Sequence, residues 1–250
     1  MVLFGYRIPA MASLLVWFAL WEVIGRLDLV MLIPPFSGVI VAGIGMLPTA
    51  SFQEAVGITL HAFGIGIGCA LVVGITAGVL MGQVRAVGDT LGMWVNIFES
   101  SPLTAIIPVL MAVLGFGQTT VIVTVFLFSV WVIALDTQVG VRQINPSLIE
   151  MARSFGASRV QLYGKILLFA ALPEILAGVR LGLIRGVKGV VIGQLLIAII
   201  GVGELFELYS RSFLMEQFWA LIIMVFAFAF VISEAVGLLE RRVEYYASTR

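Results

Sequence analysis

Charge is scarce in this sequence: Asp, Glu, Lys and Arg make up 11% of its 250 residues, where a soluble domain carries about 25%. That deficit excludes an ordinary soluble domain. Histidine and cysteine each occur once, as His61 and Cys69. A single histidine excludes most hydrolytic triads, which need an imidazole beside a nucleophile. Neither His61 nor Cys69 has a second ligand at metal-binding spacing, so both are read as packing residues. One cysteine cannot close an internal disulfide, so the redox compartment is not legible. The phosphate cradle G-x-x-x-x-G-K-[ST] is missing; the single Gly164-Lys165 pair is followed by Ile166, so the chain carries no ATP-binding loop of that type. Net charge is zero, and nothing supports nucleic-acid binding. An enzyme is not expected.

What remains is apolar surface. Hydrophobic residues make up 61% of the chain, and mean hydropathy is +1.15. The apolar runs are continuous rather than alternating, which favours helices over the strands of a membrane barrel. The expected fold is all-α: a polytopic membrane helix bundle of about six spans, forming one domain over residues 1–250. The first apolar run, from Ile8 to Ile24, lacks a small-residue cleavage site and is read as an anchor rather than a signal peptide. Residues 32–47 open with Pro34-Pro35 and are too short to span; an extramembrane or interfacial helix is expected, with a seventh span as the alternative. Further spans are expected over 56–81, 91–114, 119–139, 173–200 and 218–239. A polar turn at Arg85 and Asp89, a tight turn at 115–118 and a loop over 201–217 connect them.

Three groups of residues stand out within the spans. Gly64, Gly68, Gly74, Gly78 and Gly82 lie on the second span, several pairs of them four apart, the spacing that lets helix backbones approach closely. A seam inside the subunit or between two copies is expected. Glu99, Ser100 and Ser101 precede Pro102 inside the third span. A proline there frees a carbonyl, and an intramembrane carboxylate is a functional candidate by default; a pathway or gate is one reading, a structural role the other. Arg180, Arg185 and Lys188 lie on the inner half of the fifth span. They suit attraction of an anion, or anchoring at the inner face, which is the favoured reading. Alternating spans place twelve of the fourteen Lys and Arg residues on one side. That side is therefore cytoplasmic, with both termini.

The most patterned stretch runs from Asn145 to Pro173. Asn145 and Pro146 suit a helix start; Ser147 with Glu150 is an alternative capping box. Leu148, Met151, Ala152 and Phe155 fall at helical spacing and offer an apolar docking face. Gly156 suits a left-handed stop. Ser158 and Gln161 form a second capping box, followed by a stripe of Val160, Tyr163, Leu167 and Ala170. Two short helices with a glycine hinge are expected at a membrane face.

Glu150-Met151-Ala152, then Gly156, then Leu172-Pro173 resembles the EAA motif of ABC-type importer permeases, with Met151 where the family usually has alanine. Residues 189–194 and 238–242 resemble the nitrate/sulfonate/taurine branch, although Gln194 stands where that branch usually has an acid. The resemblance implies the type I importer permease fold in a bacterial inner membrane. It makes the hairpin a coupling helix for a separate cytoplasmic ATPase, carried by Glu150, Met151, Ala152, Arg153, Phe155, Gly156, Ser158 and Arg159. ATP and Mg would sit on that ATPase, with no cofactor on this chain. A periplasmic binding protein would deliver a small solute, an anion such as nitrate, a sulfonate, taurine or an aromatic acid. A second permease copy, identical or related, would complete the path. The alternative is an ATP-independent secondary transporter. Six spans without an evident inverted repeat, and the inner hairpin, weigh against it. An intramembrane enzyme would need a catalytic polar cluster that the sequence does not show.

Overall fold

The computed structural model describes the chain except residues 1, 4–5, 8–9, 29, 159–160, 198 and 249–250. Two two-residue strands, β1 (Val2–Leu3) and β2 (Tyr6–Arg7), pair antiparallel at the start. All further regular structure is helical: α1 (Ala10–Arg26), α2 (Phe36–Met46), α3 (Ala50–Gln83), α4 (Arg85–Ser100), a 3₁₀ turn (Leu103–Ile106), α5 (Ile107–Leu114), α6 (Gln118–Arg142), α7 (Pro146–Ser154), a π-helical turn (Leu162–Leu167), α8 (Leu168–Ala170), α9 (Leu172–Ile197), α10 (Gly201–Arg211) and α11 (Met215–Ser248).

Among the described residues, α3, α6 and the part of α11 up to Glu240 are each long and apolar enough to cross a membrane. Two bent pairs reach that standard jointly: α4 with the 3₁₀ turn and α5, bent by 93°, and the π turn and α8 with α9, bent by 59°. The 17 residues of α1 match the lower limit for a span. The 11 residues of α2 give about 16 Å of helix, which rules out a seventh span.

Two expectations are corrected. Arg85 and Asp89 do not form a turn: Val84 alone is extended, and the helix resumes at Arg85. The third span is interrupted at Ser100–Pro102, as the sequence suggests. Pro102 cannot donate to the ladder, Ser100 and Ser101 turn their hydroxyls back onto the carbonyls of Asn96 and Ile97, and the chain bends there by 93°. Residues 201–211 are not a loop but α10. Its Val202, Leu205, Phe206 and Tyr209 face inward, a helical period inside a segment whose charges suggested a loop.

The core is layered around α6. On one side lies α3, on the other α9. A second core at the end of the bundle away from the 145–173 hairpin joins α2, α3, α10 and α11 through Val39, Phe52, Phe206 and Leu221. There α1 is tied on by aromatic contacts and hydrogen bonds. Trp21 meets Trp219 edge-on at 5.1 Å and donates to the Pro34 carbonyl. Glu22 accepts from both the backbone N–H and the hydroxyl of Ser37 at 2.8 Å.

Candidate functional site

The hairpin joins the C-terminal end of α6 to the start of α9. Its first helix begins as the sequence suggested: the Asn145 side chain accepts from the Ser147 N–H at 3.0 Å, satisfying one of the orphan donors at a helix start. Gly156 ends it with φ +77°, a conformation that disfavours any residue with a Cβ. The second capping box is reciprocal. The Ser158 N–H donates to the Gln161 amide oxygen at 2.9 Å, and the Gln161 N–H donates to the Ser158 hydroxyl at 3.3 Å.

The helix that follows differs from the expected α-helical one. Residues 162–167 form a π turn, so the inward residues are five apart, Leu162 and Leu167. Ala170 is exposed, and Val160 and Arg159 lie outside the described residues. The apolar face of α7 also divides. Ala152 is buried against Leu162 and Leu167, while Met151 is 51% and Phe155 85% exposed. Glu150, Arg153, Ser154, Gly156 and Ser158 share the open surface. One set of α7 residues thus fixes the hairpin to itself, and another presents two large apolar side chains among charged ones.

Inside the bundle the five α3 glycines expected to form a seam part company. Gly74, Gly78 and Gly82 face α6. A Cβ at Gly74 would lie 2.9 Å from Ile133, at Gly78 2.5 Å from Thr137, and at Gly82 2.6 Å from Val141. Gly66, absent from the expected set, packs on Val125 in the same row. Gly64 and Gly68 point away, with no heavy atom within 4 Å of a Cβ. The ridges of the helix explain this: 66, 74, 78 and 82 lie on one row of four-residue steps, 64 and 68 on another. Sequence reasoning missed a matching row on α9, where Gly178, Gly182 and Gly186 face Asp136, Ile133 and Ser129. Its four-residue spacing was the available signal.

Glu99 and Arg185 come together. They form an ion pair between the last turn of α4 and the middle of α9, beside the stacked rings of Phe98 and Trp131, 4.5 Å apart. Lys188, one turn further along α9, is exposed. Arg180 lies apart from this pair. It contacts α11, donating to Ser233 at 3.4 Å and pairing with Glu240 at 3.3 Å.

A third polar feature lies near the C-terminal end of α9. Gln194 of α9 is wholly buried, and its amide oxygen is 2.9 Å from the Thr59 hydroxyl on α3. The same hydroxyl accepts from the Val202 N–H at 3.1 Å, at the start of α10. His61 is held by Gln118, whose amide donates to its Nδ1 at 2.8 Å. Among the described residues, no group of His, Cys, Asp and Glu could hold a metal ion.

Comparison with known proteins adds three likenesses and a family match. Residues 70–245 match the family described as binding-protein-dependent transport system inner membrane component. The taurine transport system permease protein of Escherichia coli (strain K12) is 26% identical over 93% of this chain and 87% of its own length. The nitrate import permease protein of Synechocystis (strain PCC 6803) is 30% identical over 63% of this chain and 58% of its own length. In structure, a chain of the inward-facing MetNI methionine ABC transporter aligns over 77% of this chain and 96% of its own, with a TM-score of 0.66 and 24% identity.

Proposed function

This chain belongs to the family of inner-membrane components of binding-protein-dependent transport systems, and from that premise we propose how its parts divide the work. As a member it is a non-catalytic, membrane-embedded permease subunit of an ABC importer, acting with ATPase and binding-protein partners. The finer reading is that α7 is the docking element for the ATPase, which holds ATP and Mg. The observation that carries it is the pair Met151 and Phe155, exposed at 51% and 85% on a capped helix. Large apolar side chains standing out among charged ones have the character of interface anchors. Glu150, Arg153 and Ser158 form the polar rim around them.

Both termini face the cytoplasm in this reading, α10 faces outward, and a second permease copy, identical or related, completes the path. Gly64 and Gly68, open on the α3 surface, suit a contact with that copy. The solute is a small anion or zwitterion of the kind named in the taurine and nitrate relatives.

The test is co-purification of the ATPase with wild-type and Phe155→Ala permease. Loss of a central aromatic anchor costs about 2 kcal/mol or more, a drop in affinity of roughly 30-fold. Membrane insertion should be unchanged, because Phe155 packs on little of its own chain. Wild-type association by the mutant would remove α7 as the docking element.

A further inference from the structure

Arg185 stands 13 residues, and Lys188 16 residues, from the start of the 26-residue helix α9, placing them at about 20 and 24 Å along a helix of about 39 Å. Both therefore sit near the middle of this apolar helix. They lie about a quarter turn around α9 from the glycines that face α6. Lys188 is exposed and has no ion pair or hydrogen bond among the described residues. An ammonium at this depth does not face lipid tails; it faces protein or a water-filled space. Arg185 has one ion-pair contact, through a single nitrogen to a single oxygen of Glu99. A guanidinium carries five N–H donors in a fork suited to planar oxyanions, so most of its capacity is unspent. The other Glu99 oxygen is buried without a partner among the described residues. Asp136 of α6 stands against Gly178 of α9.

A cleft of about 470 Å³ lies between α5 and the outer end of α9, lined by Pro108, Met111, Ala112, Phe116 and Leu196. Leu196 is 11 residues beyond Arg185, about 16 Å further out and on nearly the same stripe of the helix. The cleft walls are apolar, so the first charge met along that stripe is Arg185, with Lys188 about 60° around the helix from it.

We propose that Lys188 and Arg185 form a transit site for a single anionic group (a carboxylate, sulfonate or small oxyanion), with Glu99 as the internal competitor that occupies Arg185 when no anion is there. This rests on the permease reading above. The anion meets Lys188, then exchanges with the Glu99 carboxylate on the Arg185 fork. A resident competitor keeps the guanidinium neutralised at mid-membrane and lets a bound anion leave.

The test uses the complete transporter in liposomes, with Cys69→Ser to remove the native thiol and Lys188→Cys as the reporter. Its reaction is followed with a negatively charged thiosulfonate reagent (the ethylsulfonate) and a positively charged one (the ethyltrimethylammonium), each normalised to a free thiol. We expect the anionic reagent to react at least 10-fold faster in relative terms and to be slowed by millimolar nitrate. In the charge-swapped background Glu99→Arg with Arg185→Glu, the ion pair is restored but the preference at 188 should fall or reverse. No reaction with either reagent, equal relative rates, or an unchanged preference after the swap would each overturn the proposal. Co-purification of the ATPase with the same protein separates the two readings. An inert or unselective position 188 with the ATPase bound rejects the transit site alone, whereas loss of the ATPase from the unmutated permease rejects the permease assembly itself.

Discussion

A methyl group added to Gly78 would lie 2.5 Å from Cβ of Thr137. Real carbon atoms do not approach so closely, so α3 and α6 are in backbone contact at that level, with no side chain between them. The row of Gly66, Gly74, Gly78 and Gly82 repeats this along the helix pair. Close packing of this kind draws its stability from dispersion and fit rather than from water exclusion, because lipid tails are as apolar as the helices.

Gly78→Leu should therefore prevent a folded permease from accumulating. Overpacking a tight site costs about 1–3 kcal/mol even where neighbours yield, and here the neighbour includes the Ala134 carbonyl. Gly64→Leu, on the open stripe, should leave the isolated subunit folded. Size-exclusion profiles and thermal melts of the two mutants in detergent check this. Equal behaviour would mean that α3 packs on α6 by another face.

Gly156→Val should weaken the hairpin without unfolding the bundle. A β-branched residue at φ +77° costs roughly 1–2 kcal/mol or more, and the nine-residue α7 has little helical stability of its own to absorb it. Asn145→Ala removes the cap and should cost about 1 kcal/mol. Both should lower ATPase association while membrane insertion persists. Hydrogen exchange of the α7 amides distinguishes a loosened helix from a lost contact.

Thr59→Val should detach α10. The change leaves the Val202 N–H and the Gln194 amide oxygen buried without their partner, at about 1–3 kcal/mol for each buried polar group left unpaired. Faster amide exchange across 201–211, with α3 and α6 unaffected, is the expected result. Unchanged protection in α10 would show that its apolar contacts alone hold it.

Cysteine placed at exposed positions 208 on α10 and 154 on α7, in a Cys69-free chain, tests orientation. An impermeant thiol reagent applied from outside should label position 208 and spare 154. The opposite pattern would invert the assignment and place the hairpin away from cytoplasmic ATP.

Much of this architecture is legible in the sequence because its signals are local. Asn145, Gly156 and the Ser158–Gln161 box each fix a backbone event within four residues. Long apolar runs fix α3, α6 and α11 by composition. What escaped depends on partners far along the chain. Glu99 and Arg185 fell into separate groups in the sequence, and their pairing needs α4 to pack on α3 and α6, which brings its last turn within reach of α9. Gly66 was passed over because four-residue spacing alone does not say which stripe faces a neighbour. The π turn at 162–167 escaped because one extra residue per turn leaves no compositional mark.

The hairpin also has a place in the chain that bears on mechanics. It leaves α6 at Arg142 and rejoins the bundle at Leu172, and these two helices are the ones locked together through Gly178, Gly182 and Gly186. A push on the hairpin is thus received by both members of a fused pair, which resists shear and travels as one strut. Whatever bends in response must lie outside the strut. The candidate is the elbow at Ser100–Pro102, where the chain already turns by 93° and where the Glu99–Arg185 contact fastens it to the strut's flank.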